Sequence, residues 1–197
     1  MKTIQYSIRG IPNRLDQVLR ERAVQEGRSL RFRRDGNAFF ATPARPPARG
    51  GVNTVTVYYH GRPQIAKRPP WEGGFTWGAD SLGRPWVVTT DQGMGASVWW
   101  PNKDTQADEP DSQRVAINVP RPMVNVSNGR LRSTTKLKDG TTTYEWFVTN
   151  PINNYAIAVA AGSYAHWSET YDGEAGRLTL DFWPLDYHLE AARRQFP

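Results

Sequence analysis

The sequence predicts a mainly β protein, built as an antiparallel β-sandwich or a set of curved sheets, with a short strand–helix unit at the amino terminus and a short helix at the carboxyl terminus. Three observations predict this class. Runs of β-branched and aromatic residues recur from about residue 30 onward. The 17 glycines and 15 prolines divide these runs into short segments. Helical spacing of apolar residues is confined to the two ends of the chain.

The first element is a strand over Thr3–Arg9, because polar and apolar residues alternate there without a break. Its polar face holds Gln5, Ser7 and Arg9. Pro12 ends this strand, and Asn13 is placed to cap a helix that we expect to end at Gly27. The apolar side of that helix consists of Leu15, Val18, Leu19 and Ala23.

The amino-terminal segment resembles the opening of ribbon-helix-helix antitoxins and repressors, which pair such strands in the DNA major groove. The matching residues are the strand with its polar face and the words IPNRLDQVLRERAVQEGRSL. The resemblance implies DNA contacts by Gln5, Ser7 and Arg9. The second helix of that fold has no counterpart, since RFRRDG lacks apolar periodicity. We therefore expect an amphipathic extension packed on the body of the protein, with a DNA-binding or antitoxin-like dimerisation module as the alternative.

Residues 30–197 form a second predicted domain after the extension of residues 1–29. Six of its strands are predicted over Val52–Tyr59, Trp86–Thr90, Ser97–Trp100, Arg114–Val119, Tyr155–Ala161 and Arg177–Phe182. Asp139-Gly140 accepts the positive φ angles of a type I′ turn, and so predicts a hairpin with arms Arg130–Lys138 and Thr141–Thr149. Adjacent tryptophans on a strand, Trp99 and Trp100, are expected to face opposite sides. A closing helix is predicted over Tyr187–Gln195.

Charge is unevenly distributed along the chain. Residues 1–70 carry 14 Lys and Arg against 4 Asp and Glu, whereas residues 71–197 carry 11 against 15 and all eight tryptophans. The absence of cysteine excludes disulfides and thiolate chemistry. No apolar run approaches the ~18 residues that a membrane span needs, and no apolar signal segment opens the chain. These features predict a soluble protein that stays in the cytoplasm.

Residues from about 29 to 197 resemble the amino-terminal, saddle-shaped β domain of the aminopeptidase N family of zinc metallopeptidases. The resemblance rests on words in a fixed order: VYYHGRPQIAKRPPWEGGF, QGMGASVWWP, NVSNGRL, YEWFVTNPINNYAIAVAAGSYAHW and RLTLDFWPL. An ordered series of separated words is more specific than one short motif. It implies a saddle-like arrangement of antiparallel sheets.

The zinc-binding motif of that family is absent from the sequence. The family binds zinc through H-E-x-x-H, in which two histidines one helical turn apart hold the metal and the glutamate is the general base. His60, His166 and His188 have no such spacing, and the Gly-x-Met-Glu-Asn motif is also missing. We therefore expect no catalytic residue, metal or cofactor in this chain, with zinc belonging to the family's catalytic domain. The acidic word DTQADEPDS lacks the glycine and closing glutamate of a calcium loop, so it predicts a structural turn.

The resemblance carries one substrate-side position over to Gln92. Relatives send a Gln or Glu from this word into the active site, where it contacts the free α-amino group of the peptide. An amide oxygen accepts a hydrogen bond from an ammonium group, which fits that role. Gly93 and Gly95 are grouped with it as substrate-binding, with a structural β-bulge as the equal alternative.

The resemblance to the aminopeptidase N family also predicts binding partners. A noncatalytic domain implies a catalytic peptidase domain or a peptide substrate as partner, and no membrane. Relatives begin this domain with extra strands, whose place is taken here by residues 1–29. Missing strands expose a sheet edge. We expect Thr3–Arg9 to serve as that edge strand, and a homodimer through an exposed strand edge is the further possibility.

Overall fold

The computed structural model describes residues 8–9, 22–25, 27–35, 38–44, 48, 54–59, 61–69, 73–93, 95–103, 105, 107 and 109–196. They fall into two compact units. The first unit takes in Met1–Phe75, Thr90–Pro110 and Ile152–Ile157, and the second takes in Thr76–Thr89, Asp111–Pro151 and Ala158–Pro197. The mainly β class is confirmed, because β-strands hold about half of the described residues and helices far fewer.

The first unit contains two three-stranded antiparallel sheets. Its strands in chain order are β1 (Ile8–Arg9), β2 (Arg22–Gln25), β3 (Arg28–Ser29), β4 (Arg31–Asp35), β5 (Ala38–Thr42) and β6 (Val55–Tyr58). The strand orders are β1-β5-β4 and β3-β2-β6. Strand β1 lies at a sheet edge, where Ile8 is opposite Phe39 and Arg9 is opposite Ala38. The expected edge strand is therefore present over its last two residues, while Thr3–Ser7 lie outside the described residues.

The predicted continuation of the amino-terminal helix to Gly27 is wrong over Arg22–Gln25, which form strand β2. Ala23 is 1% exposed and Gln25 is 4% exposed. Residues two apart share one face of a strand but lie on different faces of a helix. Pairing of Ala23 with Val57 and of Gln25 with Val55 buries both residues against a β partner. The earlier part of the predicted helix lies outside the described residues.

The remaining strands form three further antiparallel sheets. They are β7 (Gly74–Ala79), β8 (Pro85–Thr90), β9 (Gln113–Pro120), β10 (Val124–Val126), β11 (Arg130–Lys136), β12 (Thr141–Val148), β13 (Ala160–Gly162), β14 (Trp167–Gly173) and β15 (Gly176–Phe182). Their orders are β10-β13-β8-β7, β11-β12-β9 and β14-β15. Helix α1 (Leu189–Gln195) follows a 3₁₀ turn over Asp186–His188, which confirms the predicted closing helix with a later start.

The predicted Asp139-Gly140 hairpin is confirmed as β11–β12. Gly140 has φ 89°, in the left-handed region that this turn requires. Asp139 Oδ1 accepts hydrogen bonds from the backbone N–H of Thr141 at 3.0 Å and from its hydroxyl at 2.6 Å. These bonds lower the pKa of the Asp139 carboxyl. The turn is therefore stabilised by its own side chains.

The core of the second unit is built around a satisfied polar pair. Trp146 is 3% exposed, and its indole N–H donates to Asn125 Oδ1 at 3.1 Å. Asn125 is fully buried, and its amide donates to the carbonyl oxygen of Ala160 at 3.2 Å. Buried polar groups that find partners in this way fix one packing arrangement. Val119, Val148, Val159 and Ala161 are the buried apolar residues of this unit beside Trp146.

Two predicted strands differ from the structure. Ser97–Trp100 is not a strand, because Ala96–Val98 form a 3₁₀ turn there. Tyr155–Ala161 is strand only at its end, since Asn154–Ala156 form another 3₁₀ turn. No helix among the residues that the structure describes is long and apolar enough to cross a membrane.

Candidate functional site

The candidate site is the turn that follows strand β8. Gln92 and Gly93 are exposed on it, directly after the buried Asp91. The backbone N–H of Gly95 donates to the carbonyl oxygen of Asp91 at 2.8 Å, which closes the turn. The 3₁₀ turn Ala96–Val98 follows at once. Gln92 therefore sits at the tip of a closed turn, with its side chain open to solvent.

Asp91 anchors this turn to the aromatic residues that follow it. It is 4% exposed, and its Oδ2 accepts a hydrogen bond from the indole N–H of Trp99 at 2.8 Å. The Trp99 ring packs edge-on against Phe75, with centroids 5.9 Å apart. A buried carboxylate is held in position by such a bond, because hydrogen bonds to a charged group are stronger than those between neutral groups. Sequence reasoning missed Asp91, because its contact depends on a 3₁₀ turn that the sequence pattern did not indicate.

Trp99 and Trp100 do not face opposite sides as expected of a strand. Their ring centroids are 6.0 Å apart, and both residues are half-buried. The 3₁₀ turn causes this, since both backbone N–H groups donate to the carbonyl oxygen of Ala96, at 3.1 Å and 3.2 Å. The two rings are therefore neighbours beside the turn and not residues on opposite faces of a strand.

The two candidate glycines serve backbone conformation. Gly93 has φ 84° and Gly95 has φ 82°, values that L side chains adopt only with strain. A side chain at Gly93 would meet no atom within 4 Å, so close approach of another backbone is not its reason. Both positions need glycine because the turn requires a positive φ angle there. Their contact with substrate stays a prediction.

Gly73 and Gly74 support the same region, and sequence reasoning assigned them no role. A Cβ on Gly73 would lie 1.8 Å from the carbonyl oxygen of Thr90, the last residue of β8. A Cβ on Gly74 would lie 2.4 Å from the carbonyl oxygen of Gln64. The EGGF word thus marks two close backbone approaches, one of them beside the start of the turn that carries Gln92. The paired glycines of this motif were the sequence signal that could have indicated these close approaches.

A buried amide pair lies further along the first unit. Asn154 Nδ2 donates to Asn102 Oδ1 at 2.7 Å and to the carbonyl oxygen of Lys103 at 2.9 Å. Asn102 in turn donates to the carbonyl oxygen of Trp100 at 2.9 Å. The segment after the two tryptophans is therefore fixed by a residue 52 positions later in the chain. The acidic word that follows falls partly outside the described residues.

The described histidines do not fit a zinc site. His166 Nε2 lies 2.8 Å from Asp181 Oδ1, and the ring stacks on Trp183 with centroids 4.0 Å apart. His188 lies at the start of α1, and His60 lies outside the described residues. Within the described ranges, no three His, Cys, Asp or Glu side chains cluster closely enough to hold a metal ion.

Of the three residues of the ribbon-helix-helix resemblance, the structure describes only Arg9. Gln5 and Ser7 lie outside the described residues, and Arg9 belongs to β1. Strand β1 pairs with β5 of its own chain on one side. In the ribbon-helix-helix arrangement such strands pair across a dimer. The DNA-contacting role stays a prediction.

Solved structures of M1 zinc metallopeptidases have this fold, and the chain spans little more than a third of their length. The resemblance stated from the sequence is thus confirmed as a fold. No protein-family model matches the chain, and no curated protein matches it.

Two structures illustrate the likeness. An M1 zinc metallopeptidase mutant from Deinococcus radiodurans, bound to a Tyr-Ser-Ala substrate, superposes with TM-score 0.70 and 18% identity over 83% of this chain and 37% of its own. Aminopeptidase A from Legionella pneumophila, in complex with aspartic acid, superposes with TM-score 0.62 and 14% identity over 96% of this chain and 21% of its own. Both comparisons show a shared β fold within a longer polypeptide.

Proposed function

We propose that this chain is a noncatalytic domain of a zinc aminopeptidase, which supports the catalytic domain and binds the free amino end of the peptide substrate. The observation that carries the proposal is the match of 83% of the chain to 37% of an M1 metallopeptidase chain. The ordered words of the aminopeptidase N resemblance lie in the same region. In this proposal, zinc and hydrolysis belong to the catalytic domain, and this chain supplies no catalytic residue.

Gln92 is the residue proposed to meet the substrate. Its amide oxygen accepts one hydrogen bond from an α-ammonium group, which donates three. The exposed position of Gln92 leaves its amide accessible. The bonds from Trp99 to Asp91 and from Gly95 to Asp91 hold the backbone on both sides of it. A fixed turn lowers the ordering cost of binding, which favours this residue as a recognition group.

Hydrolysis of aminoacyl-p-nitroanilides by the purified protein, with and without added Zn²⁺, tests the noncatalytic role. We expect no turnover, and no stoichiometric zinc by mass spectrometry. Turnover that depends on zinc at one metal per chain would overturn the proposal. A catalytic domain supplied separately then tests the scaffold role, since the proposal expects activity to rise when this chain is added.

Gln92 is tested by nuclear magnetic resonance titration with the tripeptide Tyr-Ser-Ala. We expect the free-amine peptide to shift the Gln92 amide signals and its N-acetylated form to leave them in place. Gln92→Glu should tighten binding about fivefold, because a bond to a charged acceptor is roughly twice as strong. The matched control, Gln195→Glu in α1, adds the same charge elsewhere and should not tighten binding. Equal shifts from both peptides would contradict the role.

A further inference from the structure

Hairpin β14–β15 carries an apolar face that the described chain covers only at one end. Side chains alternate along both strands, and the register places six of them on this face. They are Trp167, Glu169, Tyr171, Leu178, Leu180 and Phe182. At the covered end, the Phe196 ring stacks on Phe182 at 5.6 Å, and the Arg193 guanidinium lies 5.8 Å over Trp167.

The other end of this face is open to solvent. Tyr171 is 59% exposed, Leu178 is 52% exposed and Leu180 is 39% exposed. Large apolar side chains grouped on one surface indicate a contact surface, whereas isolated ones are ordinary. Glu169, the charged member of the face, is tied down by a hydrogen bond from the Trp167 indole at 2.8 Å.

The opposite face of the hairpin is polar. Ser168 donates to Asp181 Oδ1 at 2.5 Å, and the same oxygen lies 2.8 Å from His166 Nε2. Arg177 donates to the hydroxyl of Thr170 at 3.3 Å. The hairpin is therefore amphipathic, and its polar side already has partners. The apolar side is the one that gains from being covered.

Charge on the hairpin favours a second copy of this chain as the occupant. The turn of the hairpin carries Glu174, whereas Asp172 lies on the polar face opposite Arg177. The base is covered by α1, whose last turn carries Arg193 and Arg194. A two-fold axis through the middle of the face brings Glu174 of one copy towards Arg193 and Arg194 of the other. Both ends of the contact then have complementary charge.

Strand β11 of the second unit is also exposed, but it lacks this property. All seven residues of β11 are exposed, and it carries Arg130, Arg132 and Lys136. Cations along an edge repel an identical edge, which blocks pairing between copies. The edge of β11 is therefore not favoured for pairing between copies.

We propose that two copies of this chain associate in antiparallel two-fold fashion through the apolar face of β14–β15. Tyr171, Leu178 and Leu180 form the centre of the contact, and the charges of Glu174, Arg193 and Arg194 set its orientation. The inference goes beyond the proposed function and needs neither zinc nor a peptide. Failure of one therefore leaves the other standing.

Sedimentation equilibrium of the 197-residue protein over a wide concentration range tests the proposal. We expect a reversible monomer–dimer equilibrium. Leu178→Ser and Leu180→Ser should each raise the dissociation constant about tenfold or more, as expected for removing one buried leucine. Leu137→Ser is the matched control, because Leu137 is also 39% exposed but lies outside the hairpin, and it should leave the constant unchanged.

Orientation is tested by charge exchange. Glu174→Lys should weaken the dimer by bringing like charges together, and adding Arg193→Glu and Arg194→Glu to the same chain should restore it. Circular dichroism confirms that each variant remains folded. A wild-type protein that stays monomeric at every concentration overturns the proposal, as does a dimer that Leu178→Ser and Leu180→Ser do not weaken. The protein could instead stay monomeric, with nuclear magnetic resonance signals of β14–β15 that shift only when a peptidase catalytic domain is added. That result would assign the face to the catalytic domain.

Discussion

At the scale of single residues, the candidate site is defined by backbone positions more than by reactive side chains. The structure places Gln92, Gly93 and Gly95 on one turn, and their contact with substrate stays a prediction. The contact of Asp91 with Trp99 was not predictable from the sequence, since they meet only because a 3₁₀ turn replaces the expected strand. Gly73 and Gly74 belong to the EGGF motif. The backbone oxygens that they approach belong to Thr90 and Gln64, and no local sequence pattern connects those residues to the motif.

Two glycine substitutions should separate the cost of a clash with a neighbouring backbone from the cost of a positive φ angle. Gly73→Ala should destabilise the protein by about 3 kcal/mol or more, because its Cβ would fall 1.8 Å from a backbone oxygen that cannot move aside cheaply. Gly93→Ala should cost only about 1–2 kcal/mol, the strain of a left-handed L residue, since it has open space around it. Urea unfolding followed by tryptophan fluorescence measures both. Equal losses would contradict this reading of the two positions.

At the scale of elements, local turn chemistry decided which predictions succeeded. Asp139-Gly140 fixed the β11–β12 hairpin, because its turn is satisfied by its own residues. The amino-terminal helix prediction failed over Arg22–Gln25, because burial against β6 overrides local spacing. The link between the β7–β8 turn and the residues before α1 was also invisible locally. Arg84 makes it, donating to Asp80 Oδ2 and to Asp186 Oδ2, both at 2.8 Å.

The Arg84 link should appear in the pH dependence of stability. Burial alone raises the pKa of Asp80, but hydrogen bonds from Arg84 and Leu82 lower it overall. The hydrogen bond from Arg84 lowers the pKa of Asp186. A carboxyl with a lowered pKa stabilises the fold above its unfolded pKa, about 3.9, and this contribution is lost as the pH falls through the folded value. Arg84→Met should therefore be less stable than wild type at pH 7, with the difference shrinking towards pH 3.

Melting temperatures across that range provide the measurement. Arg33→Met is the control, since it removes an ion pair whose side chains are 66% and 71% exposed, and such pairs contribute little. A constant gap between Arg84→Met and wild type at all pH values would show that Arg84 acts by packing alone.

At the scale of the whole molecule, the fold class was predictable but the grouping of segments was not. Runs of β-branched and aromatic residues, divided by glycine and proline, indicate where the short strands lie. They do not indicate that Ile152–Ile157 belongs with residues far earlier in the chain. That grouping is decided by tertiary contacts, such as the buried Asn154–Asn102 bond at 2.7 Å.

Truncation should reveal this discontinuity. A chain ended after Pro110 lacks Asn154 and leaves the buried Asn102 without that donor, so we expect it to lose near-ultraviolet circular dichroism and to be cleaved rapidly by trypsin. A chain ended after His188 keeps Ile152–Ile157 and should retain protection of the first unit. Asn154→Ala in the full chain should destabilise by about 1–3 kcal/mol, the cost of an unsatisfied buried polar group. A stable, protected fragment ending at Pro110 would contradict the assignment.

The same discontinuity has a consequence for synthesis of the protein. The first unit recruits Ile152–Ile157, so it cannot be completed until those residues have left the ribosome. Asn102 and Lys103 therefore wait for their partner Asn154 while more than 40 residues after Pro110 are made. At about 5–20 residues per second, this interval lasts several seconds. Positive charge along the early strands, concentrated in the word RFRRD, would keep nascent chains from pairing with one another during that time.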